Sequence, residues 1–334
     1  MNSKRNQYVN LLKGISCIIV VFLHCPFPGI IGDGIIYGLR FSVPIFFMIS
    51  GYYSYYKDDK WIINKAKFIL RLLLIAELFY GVWNILKECI VTDNSIKVVF
   101  LSLVEKKNIW ITLLCGTMFN GTLWYLYAMF WTWVLMFIIR KTIKIKKCYM
   151  LIPVLLLVQV FGRFYIQNNY DINRFIVLFR NAITFGLPFC LLGDWIADKE
   201  TDLLKIINVN RNIIIVAIGF LLIAIEFLLY GKYMDTHIST IIISFGLFLF
   251  AIRQQTKIKG YLNIFVHIGS KWYVWIYLSH VFFIDILNIL YNCIGLEKYT
   301  FFQYLLPILV LILSCSYGEL MFQNKNGSLK RKES

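Results

Sequence analysis

Charge is what this 334-residue sequence is short of: Asp, Glu, Lys and Arg make up only 16% of it, against about 25% in an ordinary soluble domain. That deficit excludes a single soluble core. The apolar residues, 59% of the chain, are too many for one core. They recur in blocks of about 20, the length that crosses roughly 30 Å of hydrocarbon as helix. A cleavable leader is not read either: Asn2 to Asn6 is polar and basic, but no small-residue cleavage site follows the first apolar run, so that span is expected to stay. The eight cysteines have neither metal-ligand spacing nor the pattern of a disulfide framework. Cys17, Cys89, Cys190 and Cys315 lie inside apolar runs and read as small buried hydrophobes, and no metal site is expected. Internal repeats of the kind that mark many transporters are missing, and so is any long polar domain.

What is present is a series of apolar blocks. They predict an all-α polytopic membrane protein with about ten transmembrane helices, near 8–26, 35–56, 66–91, 121–139, 148–166, 174–197, 211–230, 237–252, 270–292 and 301–322. We read residues 1–334 as one integral-membrane domain ending in a polar tail at about 323–334. With the N-terminus in the cytoplasm, the inner segments carry twenty-one Lys and Arg. The outer ones carry six: Lys97, Lys106, Lys107, Arg174, Lys232 and Lys298. This bias places both termini in the cytoplasm. It also accounts for the net charge of +16 without a nucleic-acid partner. The longest outer segment, about 92–120, includes Ile109 to Met118, a stretch suited to the interface or to re-entry.

Several charges fall within or beside the apolar runs: Lys13, Arg40, Arg71, Lys87, Arg163, Arg180 and Lys271, with Glu77, Glu226 and Asp285. Facing lipid at mid-membrane each would cost a few kcal/mol, so they should pair, snorkel or face a polar interior. Lys13 and His24 are eleven positions apart on one expected helix. At about 100° per residue they share a face, roughly 16 Å apart along the axis. A cation near the inner end and an imidazole near the outer end suit a long anionic ligand entering from the cytoplasm with its reactive end outward.

Six stretches in order along the chain, from LLKGISCIIVVFLHC and FSVPIFFMISGYY near its start to SKWYVWIYLSHVFF near its end, together resemble the acyltransferase-3 family of membrane acyltransferases. LLKGISCIIVVFLHC is similar to the family's basic residue, ten intervening positions and histidine, here Lys13 and His24. Lys in place of the more frequent Arg keeps the charge but loses the bidentate fork. FSVPIFFMISGYY resembles the Phe-Phe-x-x-Ser-Gly motif at Phe46, Phe47, Ser50 and Gly51, and Pro44 is expected to kink that helix. After the second helix the family often has two arginines three positions apart. Here Arg71 stands at the second position and Phe68 at the first, with Lys67 the nearest basic substitute. GTLWYLYAMF is similar to a Gly-x-Leu-Trp-Tyr/Phe-Leu segment, which includes Trp124 and Tyr125; LPFCLLGDWIA to a Phe-x-x-Gly stretch; and SKWYVWIYLSHVFF to a late Ser…Tyr-Leu-x-His helix ending in His280.

The resemblance implies an O-acyltransferase of the bacterial plasma membrane that moves an acetyl or similar short acyl group, such as succinyl, from acetyl-CoA to a hydroxyl. The acceptor would be a surface polysaccharide or a lipid-linked glycan. The extra extracellular hydrolase-like domain that some members carry is not expected here, so transfer would be direct or pass to a separate acyl-accepting protein. Imidazole is the side chain best matched to activating a sugar hydroxyl. His24 is therefore the expected general base, or a transient acyl carrier, with Asp33 in the following loop as a candidate orienting partner. Lys13, Arg71 and Lys67 are the expected phosphate holders for CoA. Arg40 would polarise the thioester, bind acceptor or meet lipid headgroups. Trp124 and Tyr125 would form a sugar platform or an interfacial belt. Ser50 and Gly51 would allow close helix packing. His280, placed near the outer end of its helix, is a second candidate at the site; His237 and His267 have no expected role. The alternative function is a glycolipid or polysaccharide transporter or flippase without chemistry.

Overall fold

The computed structural model describes residues 6–92, 119–171, 175–230 and 236–333. Lys4, Arg5, Lys97, Lys106, Lys107, Arg174, Lys232 and the segment Ile109 to Met118 lie outside the described residues. Among the described residues every regular element is helical. Eight helices are long and apolar enough to cross a membrane. Two shorter apolar segments, 182–198 and Ile238–Arg253, stand where the sixth and eighth spans were expected.

The principal helices are α1 (Gln7–His24), α2 (Gly29–Gly38), α3 (Ser42–Ser54), α4 (Asp59–Thr92), α5 (Trp124–Thr142) and α6 (Ile145–Asn169). They continue as α7 (Leu187–Asp198), α8 (Val209–Tyr230), α9 (Ile238–Arg253), α10 (Gly260–Ile294) and α11 (Thr300–Glu333). Local chemistry sets their ends. The Asn6 side chain caps α1 by accepting from the Tyr8 and Val9 N–H groups at 2.8 and 3.4 Å. Pro26 and Pro28 then follow its last residue, where the missing N–H prevents continuation.

Four boundaries differ from the sequence reading. The expected second span is two helices, α2 and α3, separated at 39–41. Asp33 therefore sits on a helix rather than in a loop. Because α3 begins at Ser42, Pro44 falls in its first turn, where no helix N–H is needed and no kink follows. Next, α4 starts at Asp59 instead of 66, since the Asp58 carboxylate accepts from the Trp61 N–H at 3.0 Å and caps it; Lys60, Lys65 and Lys67 thus ride on the helix. The late helix runs on to Ile294, where Gly295 at φ 70° supplies the left-handed cap. His280 is accordingly interior to that helix and not near its outer end. Finally, α11 continues through the expected tail to Glu333, because the polar stretch after 322 contains no proline to stop it.

The chain forms two compact units, one of Met1–Phe46 with Glu200–Ser334 and one of Phe47–Lys199. In the first, Cys17, Val21 and Cys25 of α1 pack with Ile268 and Ile276 of α10 and Val310 of α11. The α1 backbone approaches α10 so closely that a Cβ on Gly14 would stand 1.9 Å from the Phe265 carbonyl oxygen. The intramembrane acid Glu226 of α8 is satisfied in the same unit. It accepts from the Ile238 N–H at 3.0 Å, the Ser239 N–H at 3.3 Å and the Ser239 hydroxyl, all at the start of α9. In the second unit α3 crosses α7: a Cβ on Gly51 would stand 1.8 Å from the Cys190 carbonyl oxygen, and one on Gly193 2.0 Å from that of Met48. Only glycine lets these backbones touch.

Candidate active site

In the first unit α1 and α10 bring the two expected histidines together. α1 runs unbroken from Gln7 to His24, so Lys13 and His24 keep the shared face that their spacing implies. Both meet α10. The Lys13 ammonium stands 3.1 Å from the centre of the Tyr273 ring. The His24 ring centre lies 5.3 Å from that of His280. His24 is exposed at the end of its helix, whereas His280 is fully buried.

The register of α10 depends on a local irregularity. Ile268–Trp272 forms a π turn, one extra residue that re-aims the side chains after it. Tyr273 follows directly and reaches Lys13; His280 comes two turns later. The His280 Nδ1 lies 2.7 Å from the Tyr277 carbonyl oxygen and 3.3 Å from that of Ile276.

Other expected residues of this unit make contacts of their own. Arg40 is half-buried, and its Nε donates to the Ile36 carbonyl at 2.9 Å. Phe46 packs against the cluster built on Cys17 and Val21. His237 precedes α9, donating its N–H to the Thr240 hydroxyl at 3.2 Å, and its Nδ1 lies 3.7 Å from Glu226. The Lys271 ammonium, exposed, lies 4.8 Å from the Phe322 ring.

The second unit holds the remaining motif residues. Lys67 and Arg71, one turn apart on α4, are both exposed. Phe47 is fully buried, 5.1 Å from the Tyr125 ring and 5.7 Å from the Phe185 ring. Trp124 lies 5.2 Å from Phe185, with the Arg180 guanidinium 5.7 Å from its indole. Trp124 and Tyr125 begin α5 after a one-turn 3-10 segment that the Asn120 side chain caps. Trp124 is buried and Tyr125 half-buried, so both rings are engaged within the unit. Ser50 is half-buried beside the Gly51 crossing. Arg163 is buried to 4% exposure, its guanidinium 5.9 Å from the Phe179 ring.

A polar network in this unit was missed by the sequence reading. Asp194 of α7, fully buried, accepts from the Tyr149 hydroxyl at 2.7 Å and from Arg140 at 3.2 Å. Arg140 also donates to the carbonyls of Ser54 and Lys57, both at 3.0 Å, and so fastens the ends of α3, α5 and α7. At the polar end of α7, hydrogen bonds from the Lys146 ammonium and then the Tyr55 hydroxyl hold the Asp198 carboxyl below its usual range. The signal was in the sequence: Asp194 interrupts the apolar run LLGDWIA. Its partner was hidden because Arg140 reads as an ordinary loop cation.

Among the described residues no group of three or more His, Cys, Asp or Glu side chains could hold a metal ion. The chemistry on offer is that of two neighbouring imidazoles, His24 at the end of α1 and His280 within α10, with the Lys13 cation about three turns back on the same face of α1.

A family model for an acyltransferase domain, that of the acyltransferase-3 family, matches residues 6–318. Searches of curated proteins and of solved structures each returned no match. The matched stretch contains every motif residue named above and nearly the whole chain, and the chain therefore belongs to the acyltransferase-3 family of membrane acyltransferases.

Proposed function

We propose that this multi-pass membrane protein is an O-acyltransferase. It draws an acetyl or similar short acyl group from acetyl-CoA on the cytoplasmic side and delivers it to a hydroxyl of an extracytoplasmic or lipid-linked glycan. The observation that carries this reading is that one helix, α10, receives both Lys13 and His24 from one face of α1. A cation at one end of the track and an imidazole at the other match a donor with phosphates at its tail and a thioester at its head. The family membership supports acyl transfer. The excess of Lys and Arg in the assigned inner segments supports a cytoplasmic donor side.

In this reading His24 takes the proton of the acceptor hydroxyl as its oxygen bonds to the thioester carbonyl carbon. The carbon–sulfur bond then breaks, and the CoA thiolate recovers the proton from the His24 imidazolium. Lys13 holds donor phosphate near the inner face. Arg71 and Lys67 are cations suited to phosphate, and Arg40, Trp124 and Tyr125 are side chains suited to an acceptor sugar. The lipid bilayer is the medium, and a bacterial plasma membrane the location. A separate extracytoplasmic acyl-accepting protein is the alternative first recipient of the group.

The test uses purified protein, acetyl-CoA labelled on the acetyl group and a panel of extracted cell-surface glycans. Release of free CoA together with label in a glycan is the expected result. Movement of a glycolipid without CoA release, its structure unchanged, would identify a transporter instead.

A further inference from the structure

His280 is a buried polar group that the reaction above does not use, and its protonation pattern follows from geometry. Its Nδ1 faces two backbone carbonyls, Tyr277 at 2.7 Å and Ile276 at 3.3 Å. Carbonyls only accept, so Nδ1 carries the hydrogen. In the neutral ring the lone pair is then on Nε2. That atom is buried, and no hydrogen-bond donor reaches it among the described residues.

A buried acceptor without a donor costs about 1–3 kcal/mol; other buried side chains share that state, and what sets this one apart is its neighbour. The ring that stands opposite is His24, 5.3 Å between centres with 41° between planes. Rings at that centre separation would bring their nitrogens to roughly 3 Å, within hydrogen-bond range, once turned toward each other. Catalytic hydrogen bonds are often long in the unliganded enzyme and close only around substrate.

We propose that His280 is the positioning residue of His24. Its Nε2 accepts one N–H of the His24 ring when substrate docks. The His24 tautomer is thereby fixed, with the other nitrogen left unprotonated to act as the base. Once His24 has taken the acceptor's proton, the same Nε2 holds the N–H of the imidazolium, and the proton returns to the departing thiolate. His280 stays neutral throughout, because charging a fully enclosed ring is costly. The orienting group is thus an imidazole lone pair fixed by the backbone of its own helix, in the place that a carboxylate takes in the serine-hydrolase triad. The Tyr277 carbonyl is what makes the ring an acceptor and not a donor toward His24.

This inference rests on His24 acting as the base, and the experiment keeps the two claims separate. His280→Phe preserves a flat ring and removes the lone pair; His280→Gln restores an acceptor oxygen near the Nε2 position. Transfer from labelled acetyl-CoA would be measured for both, and for His24→Ala, with folding monitored by thermal unfolding in detergent. The expected result is a loss of about 100-fold in kcat for His280→Phe, with the KM for acetyl-CoA unchanged. His280→Gln should recover to within about tenfold of wild type. Wild-type kcat in His280→Phe would overturn the positioning role, and so would equal losses in the Phe and Gln variants when both are folded. Undiminished transfer by His24→Ala would instead overturn the reading on which it rests.

Discussion

Asp194 in the unit of residues 47–199 and His280 in the other are both fully buried polar side chains on apolar helices, yet their hydrogen bonding is opposite. Asp194 receives a hydroxyl and a guanidinium, at 2.7 and 3.2 Å. The same guanidinium continues to two backbone carbonyls at the ends of neighbouring helices. His280 has one nitrogen satisfied by its own helix and the other without a donor among the described residues. A network of the first kind, with its carboxylate paired to a hydroxyl and a guanidinium, fixes helix ends. A half-satisfied group of the second kind is ready to receive a proton donor that arrives with the reaction. The difference teaches that neither burial nor an unfilled valence marks a catalytic site by itself, since Arg140 Nε is also without a partner among the described residues; at His280 the unfilled valence lies on a ring with a second imidazole opposite.

Mutations should divide along this line. His24→Ala should reduce acyl transfer by about 10³-fold or more, the scale of a lost general base. Being exposed, that position should alter thermal stability little. Asp194→Ala should do the reverse. It strands the Arg140 charge and should destabilise the fold by about 3–5 kcal/mol, read as a lower unfolding temperature and poorer yield from the membrane. Gly51→Ala should cost about 1–3 kcal/mol, because its Cβ would have to displace the Cys190 backbone; an unchanged unfolding temperature would show that α3 and α7 do not cross so closely. The smallest effect is expected at Asn181, whose side chain accepts from the Ile183 and Thr184 N–H groups at 2.8 and 3.0 Å. Removing that cap with alanine should cost about 1 kcal/mol and leave transfer intact.

Helix positions were legible in the sequence because hydrophobic blocks of membrane length are a strong signal, and every span expected from them has a helical counterpart in the structure. Boundaries set by single side chains were not. The Asp58 cap lengthened α4 backward, and the start of α3 at Ser42 turned Pro44 from an expected kink into a first-turn residue. The shared face of Lys13 and His24 followed from helical geometry alone. Their common contact with α10 did not, since it depends on the π turn at Ile268–Trp272, and an inserted residue of that kind has no periodic signature. The Arg140–Asp194 pair was hidden for a related reason. Positive-inside counting treats an inner-end arginine as topological and does not ask what it touches.

The most direct measurement compares His24→Ala and Asp194→Ala side by side, scoring label transferred from acetyl-CoA per folded molecule together with unfolding temperature. A variant that folds like wild type but does not transfer (His24→Ala), set against one that is unstable but transfers whenever folded (Asp194→Ala), is the predicted result. Wild-type transfer per folded molecule in His24→Ala would contradict the account, because the chemistry would then lie somewhere other than the end of α1.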